Sequence, residues 1–278
     1  MSKSSRIPEG LEPRPKRRET RFLNRHIMAS DRHGFVGRIY DLSIVSLNFD
    51  SYDEVLKFPD IHYVLETNEC VTALATRVES LNLAGDMLWP EPYPADFKAM
   101  PITRYEWLTV SADVFIVRYV SIIDCALLLI NQVFQLGLSK RDCTFGKLKK
   151  SGLPAALIAH LKAMLDEQQV IRNERNARVH HGSERTFTDD DITFKTASLF
   201  NDKGSGMIGK DYYGRPINLD ISFKEGLVWL QKDFNRHTKS LQSQLDVLYD
   251  FLWDEFEGRF GPLVAGATHG LNAGARRR

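Results

Sequence analysis

The sequence predicts a mainly α protein, a helical bundle preceded by an N-terminal extension that holds a short β segment. Three observations carry this. Long runs repeat their apolar residues every three or four positions, as a helix with one buried face requires. Side-chain caps, prolines and glycines fall at the ends of those runs rather than inside them. With 43% of its 278 residues apolar and 26% charged, the chain has enough of both to bury a core and keep a solvated surface.

Residues 1–22 are polar, Pro-containing and basic, with Arg14-Pro-Lys-Arg-Arg18 as a charge cluster, and read as a flexible tail. Residues 23–100 form an extension to which the sequence assigns no role. Within it, Phe35–Phe49 is rich in Val, Ile, Tyr and Leu, which suggests a strand or two. From Ile61 to Leu83 the apolar residues Ile61, Val64, Leu65, Val71, Leu74, Ala75, Val78 and Leu81 follow helical spacing. A Pro-rich loop, Trp89-Pro-Glu-Pro-Tyr-Pro94 through Pro101, closes the extension.

The main helical domain is expected over residues 101–260. Thr103 caps a helix running to Gly137, in which Arg118, Ser121, Asp124, Asn131 and Gln135 make one narrow polar stripe. After a loop including Arg141 to Gly152, a second long helix starts near Pro154. It carries Leu157, Leu161, Met164, Leu165 and Ile171 and stops at His181 and Gly182. These two helices should pack antiparallel. A helix from Asp189 to Phe200, a Gly-rich loop from Lys203 to Pro216 and a last helix from Asp220 to Glu257 complete the domain. Residues 261–278, small and Gly-rich, read as a disordered tail.

Net charge is +1, so no global field draws the chain to nucleic acid or anionic lipid, and any nucleic-acid site must be local. Cys70, Cys125 and Cys143 form no CxxC pair, which argues against a disulfide framework or a structural zinc and points to the cytoplasm. The first twenty residues lack the apolar stretch of a secretory signal. The most apolar segment, Val114–Leu136, contains Arg118, Asp124, Asn131 and Gln132, which are costly in hydrocarbon, so it reads as a core helix and no membrane partner is expected.

Several motifs fail on context. Gly204-Ser-Gly-Met-Ile-Gly209-Lys210 satisfies two phosphate-loop patterns, yet Asp211 stands where a Walker loop needs Ser or Thr, and no strand precedes it. It reads as a surface loop. Asp189-Asp190-Asp191 cannot converge on one ion from a helix and suits a helix N-terminus. His160, alone on an apolar helix, reads as a hydrogen-bonded flank residue. No metal or cofactor is expected.

One segment, Ile171-Arg-Asn-Glu-Arg-Asn-Ala-Arg-Val-His-His-Gly182, concentrates groups capable of chemistry. At about 100° per residue, Arg172, Asn176 and His180 form a drifting stripe, with Arg175 near it and His181 turned about 100° away. Histidine exchanges protons near neutral pH, arginine holds phosphate bidentately and asparagine orients either group. No Ser or Cys nucleophile and no carboxylate cluster accompanies them on this face. The set therefore suits RNA cleavage in which the substrate supplies its own 2′-OH. The other reading is that these cations answer the helix dipole and stay solvated.

Arg175-Asn-Ala-Arg-Val-His180 resembles the R-x4-6-H motif of HEPN domains, which commonly runs Arg-Asn-x-x-x-His; Arg175, Asn176 and His180 match position for position. The helix carrying Arg118, Asp124 and Asn131 looks like the first long HEPN helix, and the resemblance covers roughly Pro101 to Glu257. It implies a metal-independent endoribonuclease without cofactor, with Arg175 and His180 catalytic and Asn176, Arg172, His181 and Asp124 in support. It also implies a homodimer whose two motifs share one cleft, and a toxin or antiviral-defence effector meeting RNA and an antitoxin or defence-system partner. The alternative within the same resemblance is a catalytically silent HEPN module that binds RNA or protein. Arg172, Arg175, Arg178 and Arg185 are the candidates for a local basic patch.

Overall fold

A computed structural model describes residues 20–204, 206, 209–211 and 214–266. The Arg14–Arg18 cluster and residues 267–278 lie outside the described residues. Eight α-helices follow in order: α1 (Gly34–Ile44), α2 (Tyr52–Val55), α3 (Pro59–Asp86), α4 (Arg104–Val133), α5 (Phe145–Leu148), α6 (Ala155–His181), α7 (Asp191–Asp202) and α8 (Leu219–Gly266). A 3-10 turn, Val45–Asn48, extends α1. The described residues contain no strand, only an isolated bridge between Lys210 and Pro216. The chain is all-α.

The strand expected in Phe35–Phe49 is therefore corrected to helix. Alternation would have placed Phe35 and Val36 on opposite faces, yet Phe35, Val36 and Ile39 are all buried, at the i, i+1, i+4 spacing of one helical stripe. Phe35 stacks on Tyr249 at 5.9 Å and meets Phe256 edge-on at 6.1 Å. The β-branched content of the segment is overridden by packing on α8.

Helices α3, α4 and α8 build the core. Of the apolar positions expected inside on α3, Ile61, Val64, Val71, Leu74, Ala75, Val78 and Leu81 are buried and Leu65 is partly exposed. Tyr63 stacks on Phe256 at 5.2 Å, and its hydroxyl donates to the Val133 carbonyl at 2.8 Å, satisfying one of the acceptors that the C-terminal end of α4 leaves open. The 48-residue α8 rises about 72 Å at 1.5 Å per residue. Its inward stripe of Phe223, Leu227, Leu230, Phe234, Leu241, Leu245, Leu248, Leu252, Phe256 and Phe260 runs the length of the molecule. Phe256 and Phe260 stack at 5.3 Å, and the helix continues beyond Glu257 to Gly266.

The expected cap of α4 is a full capping box: Glu106 N–H donates to Thr103 Oγ1 at 3.2 Å, and Thr103 N–H donates to the Glu106 carboxylate at 2.7 Å. At the far end Gln135 and Gly137 adopt φ +48° and +68°. Asn131 then holds the exit loop, accepting from Leu138 N–H at 3.0 Å and donating to Leu138 O at 3.1 Å. No helix among the described residues is long and apolar enough to cross a membrane. Residues 23–28 run extended across α3 and α8, where side-chain amides take the place of a neighbouring strand. Gln231 accepts from Leu23 N–H, Asn235 accepts from His26 N–H, and Asn82 both accepts from and donates to the Met28 backbone.

Candidate active site

Helix α6 packs on α4 through Leu157, Leu161, Met164, Gln168 and Ile171, an inner stripe advancing by four and three. Continued past Ile171, the same spacing falls on Arg175 and Arg178. Arginines thus occupy the inward positions of the last two turns, their aliphatic stems on apolar surface and their heads at its edge. Gly182, at φ +64°, caps the helix in the left-handed region that suits glycine.

The two helices are antiparallel, as two ion pairs show. Arg172 Nη2 meets Asp124 Oδ1 at 2.8 Å, and Arg178 Nε pairs with Asp113 one end further along. The Arg178 side chain is 7% exposed and that of Asp113 48%, so this pair is closed on one side and open on the other. Arg185, just beyond α6, pairs with Asp233, reaches Glu174 at 3.5 Å and lies over the Trp229 ring at 4.0 Å. Three of the four arginines considered for a basic patch are thus neutralised by carboxylates, which reduces the local field that the sequence implied.

Arg175 differs. Its Nε and Nη2 both donate to Asn176 Oδ1, at 3.1 and 2.8 Å, and among the described residues no carboxylate pairs with it. His180 and His181 are exposed and make no hydrogen bond or ion pair among the described residues. The structure joins Arg175 to Asn176 and Arg172 to Asp124, and leaves the two histidines free. It also separates what the helical stripe had grouped, because Arg175 faces α4 while Asn176 and His180 face outward.

Beside Arg175 lies a small groove of about 230 Å³ lined by Asp113, Ile116, Val117, Arg175, Arg178 and Val179. Asp113 was not among the residues the sequence singled out. A signal was available: Asp113 and Asp124 lie about three turns apart and share a face of α4. Two carboxylates on an otherwise apolar helix, set opposite an arginine-rich one, mark that face.

Other candidates settle into structural parts. His160 Nε2 hydrogen-bonds the Gln244 carbonyl at 2.9 Å. Asp191 accepts from Tyr105 Oη at 2.8 Å and from Phe187 N–H at 2.7 Å, tethering the start of α7. Burial pushes the Cys70 and Cys143 thiols up to about 11, which disfavours the thiolate. Among the described residues, no three His, Cys, Asp or Glu side chains group as they would around a metal ion.

No curated protein and no solved structure matches this chain. The sequence profile of the Cthe2314-like HEPN family matches residues 66–252, which takes in most of α3, all of α4 to α7 and most of α8. The match begins within α3 rather than at the Pro-rich loop, in keeping with the packing of α3 and α4 into one core. With two helices antiparallel, an arginine-rich end on the second and a profile covering well over half its length, the chain belongs to the Cthe2314-like HEPN family.

Proposed function

We propose that the protein is a metal-independent endoribonuclease that cleaves RNA through the substrate's own 2′-OH. Membership in a HEPN family supports an RNA-related role, and one observation carries the finer reading. At the end of α6, Arg175 has no carboxylate partner and His180 is exposed and unbonded, while Arg172, Arg178 and Arg185 beside them are all ion-paired. A guanidinium and an imidazole left open at one helix end suit a phosphate and a mobile proton.

In the proposed reaction the 2′-oxygen bonds to phosphorus as its proton passes to a neutral imidazole. The bond to the 5′-oxygen breaks, and that oxygen takes a proton from a second imidazole. Arg175, oriented by Asn176, neutralises the charge that builds on the phosphate. One chain offers one such histidine set, so two copies related by a two-fold axis supply the acid and the base. Arg172, Asp124 and His181 support the helix end, and the protein acts in the cytoplasm as a toxin or antiviral effector.

Purified protein incubated with mixed RNA in EDTA should cut it and leave 2′,3′-cyclic phosphate and 5′-hydroxyl ends. A magnesium requirement or 3′-hydroxyl ends would rule the reaction out. A silent RNA- or protein-binding module is the second reading. It is favoured by the neutralisation of three arginines, and would show as RNA or partner binding with no cleavage.

A further inference from the structure

Beside Arg175, the groove between α4 and α6 has the chemistry of a base pocket, and we infer that it holds a guanine next to the phosphate that is cut. This rests on the ribonuclease reading above. The inner wall is Ile116, 1% exposed, and the rim is formed by Val117 and Val179, 45% and 61% exposed. Apolar walls of this kind accept the face of a base.

The polar groups select which base. Asp113 spends one carboxylate oxygen on Arg178 Nε and remains half exposed, so it has lone pairs for two further donors. Arg178, more than nine-tenths buried, has an Nη1 with no acceptor at all. A buried cationic donor without a partner is costly, and a ligand acceptor would relieve it. The groove thus sets a donor beside an acceptor pair. Guanine's Watson–Crick edge is the complement, with O6 accepting and N1–H and N2–H donating. Uracil would turn its O2 toward the carboxylate. Adenine and cytosine present a donor where the arginine needs an acceptor.

Because Arg175 lines the same groove, a base seated there carries its own phosphate to that guanidinium. The pocket therefore sets where the cut falls, and Asp113 is a specificity-determining residue rather than a catalytic one.

Two measurements test this. Sequencing of RNA ends after limited digestion should show guanosine enriched at one position flanking the cut, and Asp113→Asn should lower that preference by about 10- to 100-fold, the usual worth of a good bidentate base contact. Titration with the dinucleotides GpU and ApU should show tighter binding of GpU, lost in Asp113→Asn and blocked by Val117→Trp, a change at a rim position that the fold tolerates. If the protein cuts no RNA yet prefers GpU in this manner, the pocket stands and the ribonuclease reading fails. Cleavage without a base preference, or equal binding of GpU and ApU, would overturn the pocket. So would a Val117→Trp protein that keeps its preference but sediments as a monomer where the wild type is a dimer, since the groove would then be a contact between copies.

Discussion

Arg175 and Arg178 are three residues apart on the inner stripe of α6, and their partners give them different duties. Arg178 is closed over by α4 and paired with Asp113, whereas Arg175 is held only by its neighbour Asn176. Replacing Arg175 or His180 with alanine should therefore leave the helix content and thermal midpoint nearly unchanged. The same changes should lower RNA cleavage by about 10²- to 10⁴-fold, the usual worth of acid–base or charge-stabilising groups. His181→Ala should cost far less, since it points about 100° away from His180. Undiminished cleavage by the His180→Ala protein would exclude the imidazole as the proton carrier.

Elements meet through buried charge as well as through apolar faces. At the start of α4, Arg104 pairs with Asp202 at the end of α7 and with Asp220 at the start of α8 at 2.8 Å, and its guanidinium lies over Phe97 at 4.6 Å. The Asp202 side chain is fully buried and also accepts from the Arg104 backbone N–H at 3.0 Å, whereas Asp220 is 60% exposed. Asp202→Ala, which leaves a buried cation half-paired, should lower unfolding free energy by about 3 kcal/mol in urea titrations. Asp220→Ala should cost about 1 kcal/mol or less, because water replaces it. Equal effects would mean that burial does not set the strength of this clasp. The caps of α4 and α6 were legible in the sequence because capping is local chemistry: Thr103 with Glu106, Pro154 and Gly182 all act within one turn. The nature of α1 was not, because Phe35, Val36 and Ile39 satisfy a strand composition as well as a helical spacing, and only Tyr249 and Phe256 of α8 choose between them.

Across the whole molecule, two histidines make stability depend on acid. Burial is the main cause that lowers His237 and His26 below the ordinary 6.5, with Arg236 adding to the first and Lys239 to the second. Asp233 and Glu167 pull His237 the other way, and Arg185 adds to the lowering. Each ring is neutral when folded at a pH where the unfolded chain has taken up a proton. Stability is thus unaffected by them above about 6.5 and falls as pH drops below it, where the unfolded state binds more protons. Urea midpoints measured from pH 7.5 to 5.5 should decline, and His237→Gln should flatten that decline; an equally steep decline in the variant would remove His237 as a cause. Assembly is tested at the same scale. Sedimentation should give twice the 31.8 kDa chain mass at micromolar concentration, and a strictly monomeric protein with full activity would sink the two-copy site.

Read alone, the sequence determined the class of the fold, the two long helices with their ends, and the Arg175–His180 segment, because periodicity, caps and a six-residue motif are all properties of neighbours in the chain. Only the tertiary structure decided which of the arginines stay open. Carboxylates at Asp113, Asp124 and Asp233 lie 65, 48 and 48 residues from the arginines they neutralise. Pairing across such separations is set by how α4, α6 and α8 pack, and a net charge of +1 says nothing of where the charges meet. The same packing turned Asp113 and Arg178, unremarked in the sequence, into the polar walls of a groove beside Arg175, since a pocket exists only where two helices diverge.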